Sequence, residues 1–372
     1  MSGSPWKARP ARAFLWQALA IAAVAVFIFY LVSNTLDNLA NRGIASGFGF
    51  MSSTAGFGIA SSLIDYDEAS SIGRAFLVGI LNTLLVSAVG ILIATIAGVA
   101  IGIARLSPNW LLSRLAGGYV ETLRNIPLLL QIFFWYFVVL RTLPVPRNSY
   151  ALGDTVFLNN RGLYMPSADN GQSLWIWLGL AVLMLGFHLW RRKAPGPVVM
   201  RRLWGGLAAL LPVAILMVEW TSPTLRGFNF TGGIVLTPEL VALATALASY
   251  TAAFVAEIVR AGIQSVPIGQ VEAARALGLG AADVVRRVVL PQALRVIVPP
   301  LTNQYLNLTK NSSLAAAIAY PDLVSVFAGT ALSITGQAVE MITLVMAVYL
   351  SISLVIALVM NFYNRAIGLR GM

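Results

Sequence analysis

The chain has 372 residues, 58% of them hydrophobic and only 10% charged, with a formal net charge of +11. A soluble domain spends about 25% of its residues on charge, so this composition excludes a water-soluble globular protein and calls for lipid as the solvent. With no cysteine and a single histidine, His188, the chain cannot build disulfides, thiolate nucleophiles or multi-histidine metal centres.

The excess positive charge sits in clusters between apolar runs. That is the pattern of positive-inside topology rather than of a nucleic-acid-binding arm. Taking apolar runs of about 20 residues in chain order, the first predicted span is Ala13–Ser33, behind Lys7, Arg9 and Arg12. It is longer than the apolar stretch of a cleaved leader and reads as a retained anchor with a cytoplasmic N-terminus. A Gly/Ser-rich loop over 34–71 carries Asp37, Asp65, Asp67 and Glu68. The second span is Phe76–Ala104, stopping at Arg105, and the third runs from Tyr119 to Leu140. After a loop rich in Pro, Asn and Gly come a short fourth span, Leu174–Trp190, and a fifth, Leu203–Trp220. His188, beside Trp190 and Arg191, reads as an interfacial residue.

The sixth span is Leu240–Ile263. The stretch Gln264–Arg287 is too charged to be a span. Val288–Leu308 forms the seventh, and polar Thr309–Ser313 leads into a re-entrant or half-helical apolar piece reaching Leu332. The eighth, Met341–Tyr363, is closed by Arg365 and Arg370. About eight spans with both termini cytoplasmic put the basic clusters at 7–12, 105–114, 191–202, 275–287 and 365–370 on one side. The fold class is therefore an all-α polytopic membrane protein.

Two spans carry ridges of small residues: Gly90, Ala94, Gly98 and Gly102 in the second, and Ala244, Ala248, Ala252 and Ala256 in the sixth. Positions four apart share a helix face, and small side chains let helices approach closely, so these ridges predict tight packing inside a bundle.

Between the sixth and seventh spans lies a short segment with helix punctuation of its own. Pro267 and Gly269 break the preceding helix, and Glu272–Leu277 are strong helix formers. Glu272 is expected near the new helix's N-terminus, where the dipole favours a carboxylate, and Gly278 suits its C-terminal cap. A capped stub on the cytoplasmic face is either an inert surface helix or a handle for another protein.

The spacing Glu272-Ala273-Ala274, Gly278, Leu290-Pro291, with Val288 in place of isoleucine, resembles the cytoplasmic loop of importer permeases of the ATP-binding-cassette class. Asn82-Thr83-Leu84, Arg124-Asn125-Ile126-Pro127, Glu257-Ile258-Val259-Arg260 and Lys310-Asn311-Ser312-Ser313-Leu314 are similar to the polar amino-acid uptake subfamily, and the enlarged layout to the larger subunit of general L-amino-acid importers.

The resemblance implies a five-helix type I importer core in two parts, 71–140 and 238–372. It leaves 1–70 as an extra N-terminal helix and loop, and 141–237 as an insertion with two extra transmembrane helices. The stub near 268–280 would be the coupling helix, docked on a separate ATPase subunit. The partners implied are two such ATPases, a second permease forming a heterodimer, an external amino-acid-binding protein and the bacterial inner membrane.

No P-loop fits the chain, because its lysines, Lys7, Lys193 and Lys310, follow Trp6, Arg192 and Thr309 where the motif needs glycine. The chain is thus expected to be a non-enzymatic transport subunit without a cofactor, with ATP and Mg on its partners. Asn303, Asn307 and Lys310 share one helix face. Lys310 could neutralise a substrate carboxylate and Glu257 could meet an amino group, or both could be structural ties. An ion-coupled secondary transporter is the alternative. It accommodates a kink after Thr309 but gives the Glu272 loop no task.

Overall fold

The computed structural model describes residues 9–41, 47–168 and 220–368. The expected span Leu174–Trp190, the expected span Leu203–Trp220 up to its last residue, Lys7, His188, the basic cluster at 191–202 and Arg370 lie outside the described residues.

In chain order the helices are α1 (Arg9–Asn41), α2 (Ile72–Ala104), α3 (Trp110–Asn125), α4 (Leu128–Leu140), α5 (Pro238–Gln264), α6 (Ile268–Ala276), α7 (Leu290–Asn311), α8 (Val324–Thr335) and α9 (Ala338–Gly368). Among the described residues four helices are long and apolar enough to cross a membrane, or five when α3 and α4 count as one bent span. The protein is a predominantly helical membrane protein. The stretch expected as the seventh span forms a helix, α7, but Arg295, Lys310 and the polar Gln292, Asn303 and Asn307 keep it out of the helices apolar enough to cross a membrane.

The third span departs from expectation. Instead of one helix from Tyr119 to Leu140, α3 and α4 meet at a bend of 107°. The cause is local: Ile126 precedes Pro127, and the proline ring drives the residue before it out of the helical region, here to φ −92° and ψ 127°. Two of the carbonyls left without helical partners, those of Leu123 and Ile126, accept hydrogen bonds from the buried amide of Gln131 at 2.9 and 3.0 Å.

The chain forms two compact units, one of residues 1–82 and 321–354, the other of 83–320 and 355–372, so the divide runs through α2 and α9. In the first unit Phe50, Ile72, Leu323, Phe327 and Met341 make the core. Asp322 caps α8, accepting the Ser325 N–H at 2.8 Å and the Tyr349 hydroxyl at 3.2 Å. Asn82 donates to the carbonyls of Ser61 and Pro321 at 2.8 and 2.9 Å.

The second unit is organised around α5, whose apolar window is 61% buried. Thr237 caps it by accepting the Leu240 N–H, Pro238 occupies its first turn, and Glu239 in that turn accepts the Tyr136 hydroxyl at 2.9 Å. The two small-residue ridges meet here. A Cβ on Gly98 would lie 2.5 Å from the Cβ of Val255 and 2.9 Å from the carbonyl of Ala252, and one on Gly102 would lie 2.7 Å from the carbonyl of Ala256. Only glycine permits that approach. On α7, Gly262 of α5 meets Ile297 in the same way, a Cβ there falling 2.3 Å from Cγ1.

The loops flanking the undescribed segment hold short strands that hydrophobic periodicity does not announce. β1 (Tyr150–Leu152), β2 (Val156–Asn159), β3 (Gly162–Met165), β4 (Ser167–Ala168), β5 (Trp220–Thr221), β6 (Thr224–Arg226), β7 (Asn229–Thr231) and β8 (Ile234–Leu236) pair antiparallel in the orders β1-β2-β3-β8, β4-β5 and β6-β7. Phe230 packs on Phe157 and Tyr164 with ring centroids 4.6 and 4.8 Å apart. Gly162 has φ +130°, and a Cβ there would sit 2.2 Å from the carbonyl of Leu236, so backbone conformation and close approach both demand glycine.

Candidate functional site

The segment between α5 and α7 is built by its punctuation. Pro267 stands immediately before α6 with φ −58°, a value its ring fixes. At the other end Leu279 N–H reaches the carbonyl of Ala274 at 3.2 Å and Gly278 N–H that of Arg275 at 2.9 Å. This reciprocal pair is a Schellman cap, and it needs the left-handed backbone that Gly278 adopts at φ +81°. A Cβ on Gly278 would meet nothing within 4 Å, so the sign of φ, not space, selects glycine.

The expected placement of Glu272 is corrected in one respect. It is the fifth residue of a nine-residue helix whose first turn holds no acid, so the helix dipole does not explain it. The helix begins at Ile268, directly after the proline, four residues before the carboxylate. Glu272 and Ala273 are exposed and Ala274 is buried, so one alanine seats the helix while its neighbours face outward. Ile268 and Leu277, 70% and 83% exposed, flank the acid at the two ends of the stub. The stub thus presents an exposed apolar residue at each end with a carboxylate between them.

A further anchor comes from α7: the Gln292 amide donates to the Gln270 side chain at 2.5 Å and to the Val288 carbonyl at 2.9 Å. Leu290 and Pro291 open α7 and are exposed. Pro291 lacks the N–H that an unbroken helix would donate to Arg287, and the widened π-type turn Val285–Val289 lies at that gap.

The description "Binding-protein-dependent transport system inner membrane component" belongs to the family that matches residues 195–370. A putative amino-acid ABC transporter permease protein of Escherichia coli K12 is 54% identical over 96% of this chain and 94% of its own length. The chain belongs to this family of ABC importer permeases. A general L-amino acid transport system permease protein of Rhizobium johnstonii is 46% identical to the permease, over 99% of it and 97% of the relative. A glutamate/glutamine/aspartate/asparagine transport system permease protein of Rhodobacter capsulatus is 40% identical over 95% and 94%. The permease is thus a membrane-embedded transport subunit of an importer.

The other expected residues fall in two places. Asn303, Asn307 and Lys310 lie on α7 and are all exposed, on a face apart from the buried Ala293, Ile297, Leu301 and Leu308. Lys310 takes part in none of the three ion pairs found among the described residues. Glu257, by contrast, is enclosed by cations. Its Oε2 accepts from Arg105, and its Oε1 accepts from Arg260, including an Nε bond of 3.2 Å. Arg105 lies 152 positions away, and no local sequence pattern links the two. Arg260 also donates to Gln264 at 2.7 Å, and Arg124 stacks over Phe254 with its guanidinium 5.1 Å from the ring centroid.

A cavity of about 560 Å³ opens beside the α3–α4 bend, lined by Tyr119, Thr122, Ile126, Gln131, Trp135 and Ser249 among others. It was not legible in the sequence because the pattern of residues does not show how far the chain turns at Pro127.

Proposed function

We propose that the permease imports amino acids into the cytoplasm by alternating access, with α6 as the coupling helix on which an ATPase subunit acts. The observation that carries this reading is the exposed, doubly punctuated stub presenting Ile268, Glu272, Ala273 and Leu277 on a body seated by Ala274. A rigid knob transmits displacement, and a fraying one would absorb it. The names of the relatives, each an amino-acid permease, support the substrate class.

In this reading ATP and Mg bind two separate ATPase subunits, and an external binding protein delivers the substrate. A second permease completes the pathway, and both termini of this chain face the cytoplasm of a bacterial inner membrane. Residues 71–140 and 238–372 form the transport core, with 1–70 and 141–237 as additions to it. The open face of Asn303, Asn307 and Lys310 lines the pathway, where the Lys310 ammonium attracts a substrate carboxylate.

The test is reconstitution of the full complex in vesicles with uptake of labelled amino acids. Glu272→Arg places a cation on the knob. It is expected to weaken retention of the ATPase subunit on co-purification by about thirtyfold, the effect of losing one interface hot spot, while membrane insertion stays normal. Full retention of the ATPase by that variant would remove α6 from the mechanism, and uptake of sugars or metal ions in place of amino acids would overturn the substrate class.

A further inference from the structure

A docked engine moves α6, but α6 has only nine residues, and the spans must move with it. The described contacts show how two of them are tied on. α5 continues into α6 through Ser265, Val266 and Pro267 alone. α7 is fastened to α6 by the Gln292–Gln270 hydrogen bond and to α5 by the close approach at Gly262. These contacts tie the three helices into one corner.

α2 is attached differently. Glycine contacts bring it against α5, and such apolar packing is non-directional. Directional ties come from polar groups: midway along α2 the Thr95 hydroxyl meets the Tyr305 hydroxyl of α7 at 2.9 Å, and at the end of α2 a charge cluster takes over. Arg105 is the first residue beyond α2, and its carbonyl accepts the Ser113 hydroxyl of α3 at 3.0 Å, so it sits at the corner where α2 gives way to α3. Its guanidinium donates to Oε2 of Glu257, while Oε1 is taken by Arg260 on Glu257's own helix. The carboxylate is therefore divided, one oxygen held by α5 and the other by the end of α2. The three side chains are only 18–30% exposed, where charge-assisted hydrogen bonds are short and directional.

We infer that Glu257 is a positioning residue that locks the end of α2 and the α2–α3 corner to the α5–α6–α7 piece, so that a displacement of the coupling helix is delivered to α2 as well. The inference rests on α6 being that helix. It assigns Glu257 to force transfer rather than to substrate contact. Glutamine in its place keeps the volume but has one acceptor oxygen instead of two, so one guanidinium loses its partner.

The test is the number of labelled amino-acid molecules moved per ATP hydrolysed by the complete reconstituted importer. Glu257→Gln and Arg105→Gln are each expected to lower that ratio about three- to thirtyfold while ATPase co-purification stays at the wild-type level. The double variant should be no worse than the more affected single one, because both remove the same contact. Glu257→Asp, which keeps two oxygens, should recover at least part of the loss.

A wild-type ratio in both single variants overturns the lock. Loss of the ATPase subunit from either also overturns it, since the cluster would then be serving docking. Failure of both variants to accumulate in the membrane overturns it too, by showing that the cluster holds the fold. If the unaltered complex retains no ATPase, the reading of α6 fails instead, and that result is separate from all of these.

Discussion

The two ends of α5 are made by different chemistry. At its N-terminal end the chain arrives from β8, one strand of an antiparallel ladder in which the backbone supplies the bonds and glycines such as Gly162 set the turns. Side chains also bind at that end, through the Thr237 cap and the Tyr136–Glu239 bond, but at the C-terminal end there is no ladder: a carboxylate shared between Arg105 and Arg260 does the fixing, followed by a short stub with its own backbone cap at Gly278. A ladder of backbone bonds gives way all at once or not at all. A few polar side chains can be remade in a second arrangement. In the proposed reading α5 is anchored at its β8 end and driven at its α6 end.

The contrast can be broken hardest in the middle, where neither end contributes. Gly98→Leu places a side chain against Val255 and the Ala252 carbonyl. Overpacking of this kind costs about 1–3 kcal/mol, and a thermal denaturation midpoint several degrees lower in detergent is expected, with loss of uptake to match. At the driven end, Gly278→Val forces a β-branched residue into the left-handed region at a cost of about 1–2 kcal/mol. The expected result is a frayed α6, read as faster amide exchange over residues 268–279, and reduced ATP-coupled uptake with the midpoint little changed. At the anchored end, Arg147→Ala removes a guanidinium 4.6 Å from the Phe228 ring. An exposed cation–π contact contributes about 0.5–1 kcal/mol, so uptake should stay within about twofold of the unaltered permease. A large transport defect there would mean that the strand-bearing end is also a moving part.

Much of this was legible in the sequence, for identifiable reasons. Long apolar runs must be helical in lipid, so α1, α2, α5 and α9 could be placed from composition alone. The ridges of Gly98 and Gly102 against Ala252 and Ala256 were readable because four-residue spacing puts small residues on one face. The cap at Gly278 was readable because a left-handed residue needs glycine. Other features were hidden. Pro127 lies inside the third span expected from apolarity, and the sequence does not show that the span turns by 107° there, because a bend angle depends on what satisfies the broken backbone. The strands around 150–168 and 220–236 are too short to show alternation. The Arg105–Glu257 pair joins residues distant in sequence, and only packing of α2 on α5 brings them together.

The side-chain amide of Gln131 has a consequence for how such a chain enters a bilayer. Hydrocarbon offers nothing to an exposed carbonyl, so a broken span would ordinarily need a neighbouring subunit or water to complete it. Here the elbow brings its own donors, the same nitrogen serving both Leu123 and Ile126. The crook therefore satisfies two of its freed carbonyls from within its own span, and those two need no companion subunit or water.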